Sequence, residues 1–245
     1  MDRGATRVIS VGGDGTVHEI VNSIYGKGVE LGVVPLGTGN DFARTIGTPL
    51  DPEQAARVAL TGRTSAIDLG QVDGEIFMNV AGVGYDAEVA AEANRMGMLI
   101  NGQITYITSL LKMLVKYRCA DVTIDIDGRA MSGRILLVAV GNGKYYGGGM
   151  KITPGAVIDD GVFEIVVAGD LTRLETLMTL PKVYTGRHIE HPKASTHTGR
   201  RVRIESRERL SVHADGEIVA TTPVEFRILE NALQVVRYAP GETGP

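Results

Sequence analysis

Asp14 sits among glycines, in Gly12-Gly13-Asp14-Gly15-Thr16, and a second glycine turn, Pro35-Leu36-Gly37-Thr38-Gly39-Asn40-Asp41, follows it. Each turn comes after an apolar, strand-like run, Val8 to Val11 and then Leu31 to Val34, and each opens a helix-like segment. Glycine admits positive φ and lets backbone N–H groups come close to a ligand. A helix N-terminus behind the turn adds a favourable field for anions. With Asp14, Thr16 and Thr38 among the glycines, the pattern suits a nucleotide phosphate site that also handles a cation. Taken alone, Gly-Gly-Asp-Gly-Thr also admits a less favoured reading as a tight strand–helix turn with no ligand, with Asp14 its stabilising side chain.

Further along lie other groups able to do chemistry. Asp68 ends an apolar stretch; on sequence alone it is either a strand-end residue or a functional carboxylate. Glu217 follows Asp215-Gly216, but Asp73-Gly74-Glu75 repeats that triplet, and a lone Asp-Gly-Glu reads first as a hairpin. Asp159-Asp160-Gly161 reads first as a plain turn. Gly147-Gly148-Gly149-Met150 marks a close backbone approach or a flexible loop. His188, His191 and His197 scatter through a predicted loop without zinc spacing and are taken as surface residues.

Alternating elements are needed to position the glycine turns. Strands are predicted at 7–11 and 31–34, and helices at 17–25, 41–46 and 52–60, the last with Asp51 as N-cap and Pro52 in its first position. This is an α/β pattern with a parallel sheet, expected over residues 1–68. From 69 to 245 the texture changes to short strands: 75–80, 121–127, 132–140, 162–168, 200–206, 209–213, 217–221 and 224–230. Asp-Gly turns join several of them, and helices interrupt at 103–117 and 172–185. That region reads as a mostly antiparallel β-rich domain, with its last residues available to return to the first domain. The helix around Ile104 to Val115 is apolar on most sides; it packs in the core or faces lipid.

Composition sets outer bounds. Hydrophobic residues make up 43% and charged residues 22%, ordinary for a globular chain. A net charge of −4 supplies no global basic field for nucleic acid. The single cysteine, Cys119, forms no internal disulfide and fits a reducing cytosol. No stretch is long and apolar enough to span a membrane.

Taken in order, the motifs resemble the bacterial diacylglycerol kinase and lipid kinase family, which shares its catalytic domain with diacylglycerol and sphingosine kinases. Besides the two glycine turns, the resemblance rests on Ile67-Asp68-Leu69-Gly70, Asn79 to Asp86, Asn142 to Met150, Pro154-Gly155-Ala156, Asp159-Asp160-Gly161 and His213-Ala214-Asp215-Gly216-Glu217. NAD kinases share the first glycine turn but not the later motifs. The resemblance implies an ATP- and Mg²⁺-dependent lipid kinase, cytoplasmic and peripheral at the inner face of the membrane, with a lipid alcohol, first diacylglycerol, as acceptor. A sphingoid base, phosphatidylglycerol, a soluble acceptor, or a nucleotide-binding regulatory remnant without turnover stay open, as does a homodimer. It assigns nucleotide contacts to Gly12, Gly13, Asp14, Gly15, Thr16, Val17, His18, Glu19, Gly37, Thr38 and Asn40. Asp14 and Asp68 would share a Mg²⁺–water network, and Glu217 would be the general base. A second, structural Mg²⁺ would be held by Asp160 with the carbonyls of Val157 and Val162. Relatives carry a further strand and nucleotide-contacting loop upstream, so the α/β domain is expected to be incomplete and its ATP binding weak.

Overall fold

The computed structural model describes residues 4–96 and 102–238. In chain order the elements are β1 (Arg7–Gly12), α1 (Asp14–Ile24), β2 (Glu30–Pro35), α2 (Asp41–Ile46), α3 (Pro52–Thr61), β3 (Arg63–Val72), β4 (Glu75–Phe77), β5 (Val80–Gly84) and α4 (Tyr85–Met96). There follow α5 (Gly102–Lys116), β6 (Ala120–Ile126), β7 (Arg129–Gly141), β8 (Tyr145–Tyr146), β9 (Met150–Lys151), β10 (Phe163–Gly169) and α6 (Arg173–Val183). A short 3-10 turn (Arg187–Glu190) leads to β11 (Ala194–Gly199), β12 (Arg201–Ser206), β13 (Ser211–Ala214), β14 (Glu217–Thr221) and β15 (Val224–Arg237).

Local chemistry accounts for many of these ends. Asp51 caps α3, its Oδ1 accepting from Gln54 N–H at 2.9 Å. Thr172 and Glu175 form a reciprocal capping box at α6. The hairpin turns Asp73-Gly74, Asp127-Gly128 and Asp215-Gly216 all place both residues at positive φ, as two-residue turns matching strand twist require.

Among the described residues, parallel pairing is confined to β1–β2 and β2–β15; the other strands pair antiparallel. Two long strands organise the sheet. The first part of β7 pairs with β6, and its last residues lie between β5 and β10. β15 starts beside β12 in the β-rich part, runs antiparallel along β3, and ends parallel to β2. The chain's last described strand thus does return to the first sheet. β3 pairs with β15 on both sides of residue 68, so a boundary at 68 cuts through a strand.

Three larger apolar clusters fill the layers, and a small fourth, of Val34, Ala55 and Ala59, seats α3. Val138, Val140, Phe163, Ile165, Val202, Ile204 and Phe226 form the β-rich core, where Phe77 stacks on Phe163 with ring centroids 5.7 Å apart. Val17, Val21, Leu31, Val33, Phe42, Leu69 and Val235 fix α1 and α2 against the first sheet. Tyr85, Val89, Leu110, Leu137, Met150, Val166 and Val183 lie between the β-rich sheet and helices α4, α5 and α6.

The structure corrects several sequence expectations. The first helix starts at Asp14, inside the glycine turn, rather than at 17. β3, β5, α4 and β11 had no sequence signal strong enough to predict them. β3 carries Arg63, Thr64, Ser65, Asp68 and Gly70, and is held by strands on both sides rather than by an apolar run. β11 is polar and pairs with β10 alone among the described residues. His188 is not a surface residue: it is buried, and its Nε2 lies 2.9 Å from the Ile152 carbonyl.

Gly70 lies against the Phe77 ring, where an added Cβ would come within 2.0 Å of Cζ. Gly70→Ala is therefore expected to destabilise the chain by about 1–3 kcal/mol, the usual cost of overpacking. Urea denaturation measures this; an unchanged midpoint would mean that the ring moves aside freely.

Candidate active site

The two glycine turns touch. A Cβ on Gly37 would lie 2.5 Å from Gly13 Cα, and one on Gly12 would lie 2.7 Å from Thr16 Oγ1. Glycine is needed at both because no side chain fits. A Cβ on Gly39 would meet Asp14 Oδ2 at 2.9 Å and Asp41 Oδ2 at 3.4 Å, so this glycine separates two carboxylates. Asp14 Oδ1 accepts from Phe42 N–H at 3.0 Å. The Asp41 oxygens accept from Gly148 and Gly149 N–H at 2.8 and 2.7 Å, which explains the glycine run at 147–149: backbone must come this close.

Burial raises the Asp14 carboxyl above its ordinary value, with the Asp215 charge adding to the effect. Burial, then the Asp14 charge, pushes Asp41 up to about 6. Neither carboxylate makes an ion pair among the described residues. This is a site with excess negative charge, which a bound cation would relieve.

Asp215 closes the opposite wall. Its oxygens accept from Met78, Asn79 and Val80 N–H at 2.7, 3.0 and 3.2 Å. His18 reaches it from α1, with Nδ1 at 3.5 Å from Asp215 and Nε2 at 3.2 Å from Glu75. The hydrogen bond to Asp215 is the main cause that raises the His18 value. His213 Nδ1 accepts from Gly216 N–H at 3.4 Å, which leaves Nε2–H to donate to buried Asp86 at 3.3 Å. The Tyr146 ring stacks on His213, with centroids 6.2 Å apart. Glu217 stands exposed at the start of β14, with Asn94 Nδ2 at 3.5 Å.

These groups surround a cleft of about 210 Å³, lined by Asp14, Thr38, Gly39, Asp41, Asn79, Asn94, Tyr146, His213 and Asp215 among others. A second, smaller cleft of about 70 Å³ is almost wholly apolar, lined among others by Tyr85, Val89, Leu110, Leu137, Met150, Val166, Leu180 and Val183. Tyr146 belongs to both.

The structure brings some of the expected residues together and not others. Gly15, Thr16 and Thr38 are exposed beside the turns. The Val17 side chain is in the core and its N–H bonds Gly13 O, so it offers a ligand nothing. His18 faces Asp215 and Glu75, Glu19 is exposed along α1, and Asn40, in the left-handed region, closes its own turn through two bonds with Gly37. The Asp68 oxygens accept from Gly161 N–H at 2.7 Å and Asn231 N–H at 2.8 Å, pinning a loop and the β15 bulge. Asp160 is exposed in the same loop as Val157 and Val162, and its Oδ1 accepts from Val162 N–H at 3.2 Å. Sequence reasoning missed Asp41, Asp86, His213 and Asp215 as site residues. Asp41 and Asp215 were signalled by lying inside the matched turns. Asp86 and His213 meet only through folding.

Among the described residues no group of three or more His, Cys, Asp or Glu has metal-holding geometry. The Asp14–Asp41 pair nevertheless fits Mg²⁺, which takes few carboxylates and completes its shell with water and phosphate oxygens.

Comparisons with known proteins give the family. Residues 1–72 match the diacylglycerol kinase catalytic domain, and residues 79–237 the YegS C-terminal NAD kinase beta sandwich-like domain. The chain is 34% identical over 237 residues to a diacylglycerol kinase of Staphylococcus carnosus (strain TM300), covering 95% of this chain and 76% of that protein. A diacylglycerol kinase of Bacillus subtilis (strain 168) is 32% identical over 232 residues, covering 94% and 77%. The crystal structure of a putative diacylglycerol kinase from Bacillus anthracis str. Sterne superimposes with a TM-score of 0.77 at 27% identity, covering 97% and 80%. Fold and matches together define a lipid kinase. The chain belongs to the diacylglycerol kinase family.

A carboxyl whose folded value lies above its unfolded one holds its proton more tightly in the folded state. The stability from that proton is present at low pH and is lost as pH rises through about 4 to 6. Without Mg²⁺, the melting temperature of Asp41→Asn relative to the parent should therefore move in the variant's favour across this window. A flat difference would show that Asp41 titrates as an ordinary carboxylate.

Proposed function

We propose that this chain transfers the γ-phosphate of ATP to a lipid hydroxyl, with diacylglycerol as the first candidate acceptor. The observation that carries the reading is the adjacency of the two clefts. A carboxylate-lined cleft beside glycine turns meets an apolar one across Tyr146. A polar reacting end and long acyl chains need that combination.

In this reading the turns at Gly12 to Thr16 and Gly37 to Asn40 receive the phosphates through backbone N–H and the Thr16 and Thr38 hydroxyls. Asp14 and Asp41 hold Mg²⁺, which when bound neutralises charge developing on the phosphoryl oxygens. Asp215, fixed by three backbone N–H groups, holds the turn that presents Glu217. Glu217 takes the proton of the acceptor hydroxyl as its oxygen attacks phosphorus. Positioning and charge stabilisation supply most of the catalysis in such transfers, so one base beside a cation site suffices. The acyl chains occupy the apolar cleft, and the protein meets its acceptor at a membrane surface from the cytoplasmic side. The glycine-turn half, with the end of β15 returned to it, holds nucleotide, and the β-rich half holds lipid.

Two variants test the assignments. Glu217→Gln is expected to lower turnover about 10²–10⁴-fold while ATP affinity and melting temperature stay near the parent's. Radiolabelled ATP against a lipid panel reads the product; undiminished turnover removes Glu217 from the mechanism. If Asp160 and the carbonyls of Val157 and Val162 hold a structural Mg²⁺, then Asp160→Ala abolishes part of the rise in melting temperature that Mg²⁺ produces. An equal rise in variant and parent places the ion elsewhere.

A further inference from the structure

The turn that presents Glu217 has little side-chain packing to aim it. Asp215 and Gly216 both lie at positive φ, and an added Cβ on Gly216 would meet nothing within 4 Å. Glu217 itself is exposed, and its carboxylate has one hydrogen-bond partner among the described residues, Asn94 Nδ2 at 3.5 Å. Gly216 is held by side chains at both ends instead. Its N–H donates to His213 Nδ1 at 3.4 Å, and its carbonyl accepts from the same Asn94 amide group at 3.1 Å. That carbonyl belongs to the peptide entering Glu217, so Asn94 grips the carboxylate and its backbone together.

The other grip is set from beneath the turn. The His213 ring is 1% exposed and Asp86 2% exposed. Asp86 Oδ1 accepts from Ala87 N–H at 2.9 Å, and its Oδ2 lies 3.3 Å from His213 Nε2. A carboxylate only accepts, so it holds the imidazole proton on Nε2 and leaves Nδ1 as the acceptor that Gly216 N–H requires. Gly82 leaves room for the pair: a Cβ there would come within 2.0 Å of Asp86 Oδ2 and 2.8 Å of His213 Nε2. Tyr146 covers the ring by stacking on it. Asp86 and Asn94 stand about two turns apart on α4, so one helix governs both grips.

We propose that Asn94 and the Asp86–His213 pair are positioning residues, which fix the Gly216 peptide and so aim Glu217 at the acceptor hydroxyl. This rests on the reading of Glu217 as general base and goes beyond it. A base must stand within hydrogen-bond reach of the proton it takes, and a displacement of about 1 Å costs on the order of 10²-fold. Asn94 is exposed and helical, so Asn94→Ala leaves the helix at least as stable. It is expected to lower kcat about ten-fold, with the KM for ATP within about two-fold and the melting temperature not lowered. Added to Glu217→Gln, the same substitution should cost nothing further, because no base is left to aim. Two His213 variants separate aim from stability. In His213→Asn the amide oxygen falls near the place of Nδ1, and kcat stays within about three-fold of the parent even where the melting temperature drops. In His213→Gln the amide nitrogen falls near the place of Nε2 and keeps Asp86 partnered, yet kcat falls about ten-fold. A merely structural role would make turnover follow the melting temperature instead. The Gly216 amide signal, read by ¹⁵N NMR without ATP or acceptor, should stay near the parent's in His213→Asn and move in His213→Gln and Asn94→Ala. Undiminished kcat in Asn94→Ala, a further loss on adding it to Glu217→Gln, or a Gly216 signal unmoved by all three variants overturns the proposal. Undiminished kcat in Glu217→Gln alone would instead remove the base reading, and the proposal with it.

Discussion

The Asp215 carboxylate is the interaction on which the rest of the site depends. One buried side chain accepts hydrogen bonds from three consecutive backbone N–H groups at the entry to β5, and meets His18 of α1. A hydrogen bond to a charged group is worth about 1.5–3 kcal/mol, and an orphaned buried donor costs a comparable amount. Removing this carboxylate would therefore release the first residues of β5, the helix behind the first glycine turn, and the hairpin that carries Glu217. The glycine-turn side and the β14 side of the cleft share a single anchor.

Much of this was legible in the chain. The glycine turns, the Asp-Gly hairpins and the caps of α3 and α6 are local, and local chemistry reads directly from residue order. The ordered motifs carried the family, and the family carried both halves of the fold. What stayed hidden depends on distant pairing. β3 carries few apolar residues, and its main partner, β15, lies far along the chain. His213 and Asp86 lie far apart in the chain and meet only because Gly82 leaves room: a Cβ there would come within 2.0 Å of Asp86 Oδ2.

The cleft holds opposing electrostatic demands within a short span. Asp14 and Asp41 are buried together, which disfavours their charge, while glycine N–H groups at 148 and 149 favour it on Asp41. Evolution would remove such a pair from a purely structural interior, where apolar residues of the same volume do better. Its presence beside two glycine turns is the clearest physical sign that something positively charged belongs there.

β15 has a mechanical consequence. It begins in the β-rich layer, bulges at Asn231 where Asp68 grips the backbone, and ends beside β2. β3 runs along it through the same crossing. Two strands hydrogen-bonded to each other make a stiff splint, so the halves cannot swing apart about a flexible linker as hinged kinases do. Opening the cleft falls to small parts, the glycine run at 147–149 and the helices over the apolar cavity. Heat should likewise take both halves down in one cooperative step, since neither can melt without tearing the strands it shares.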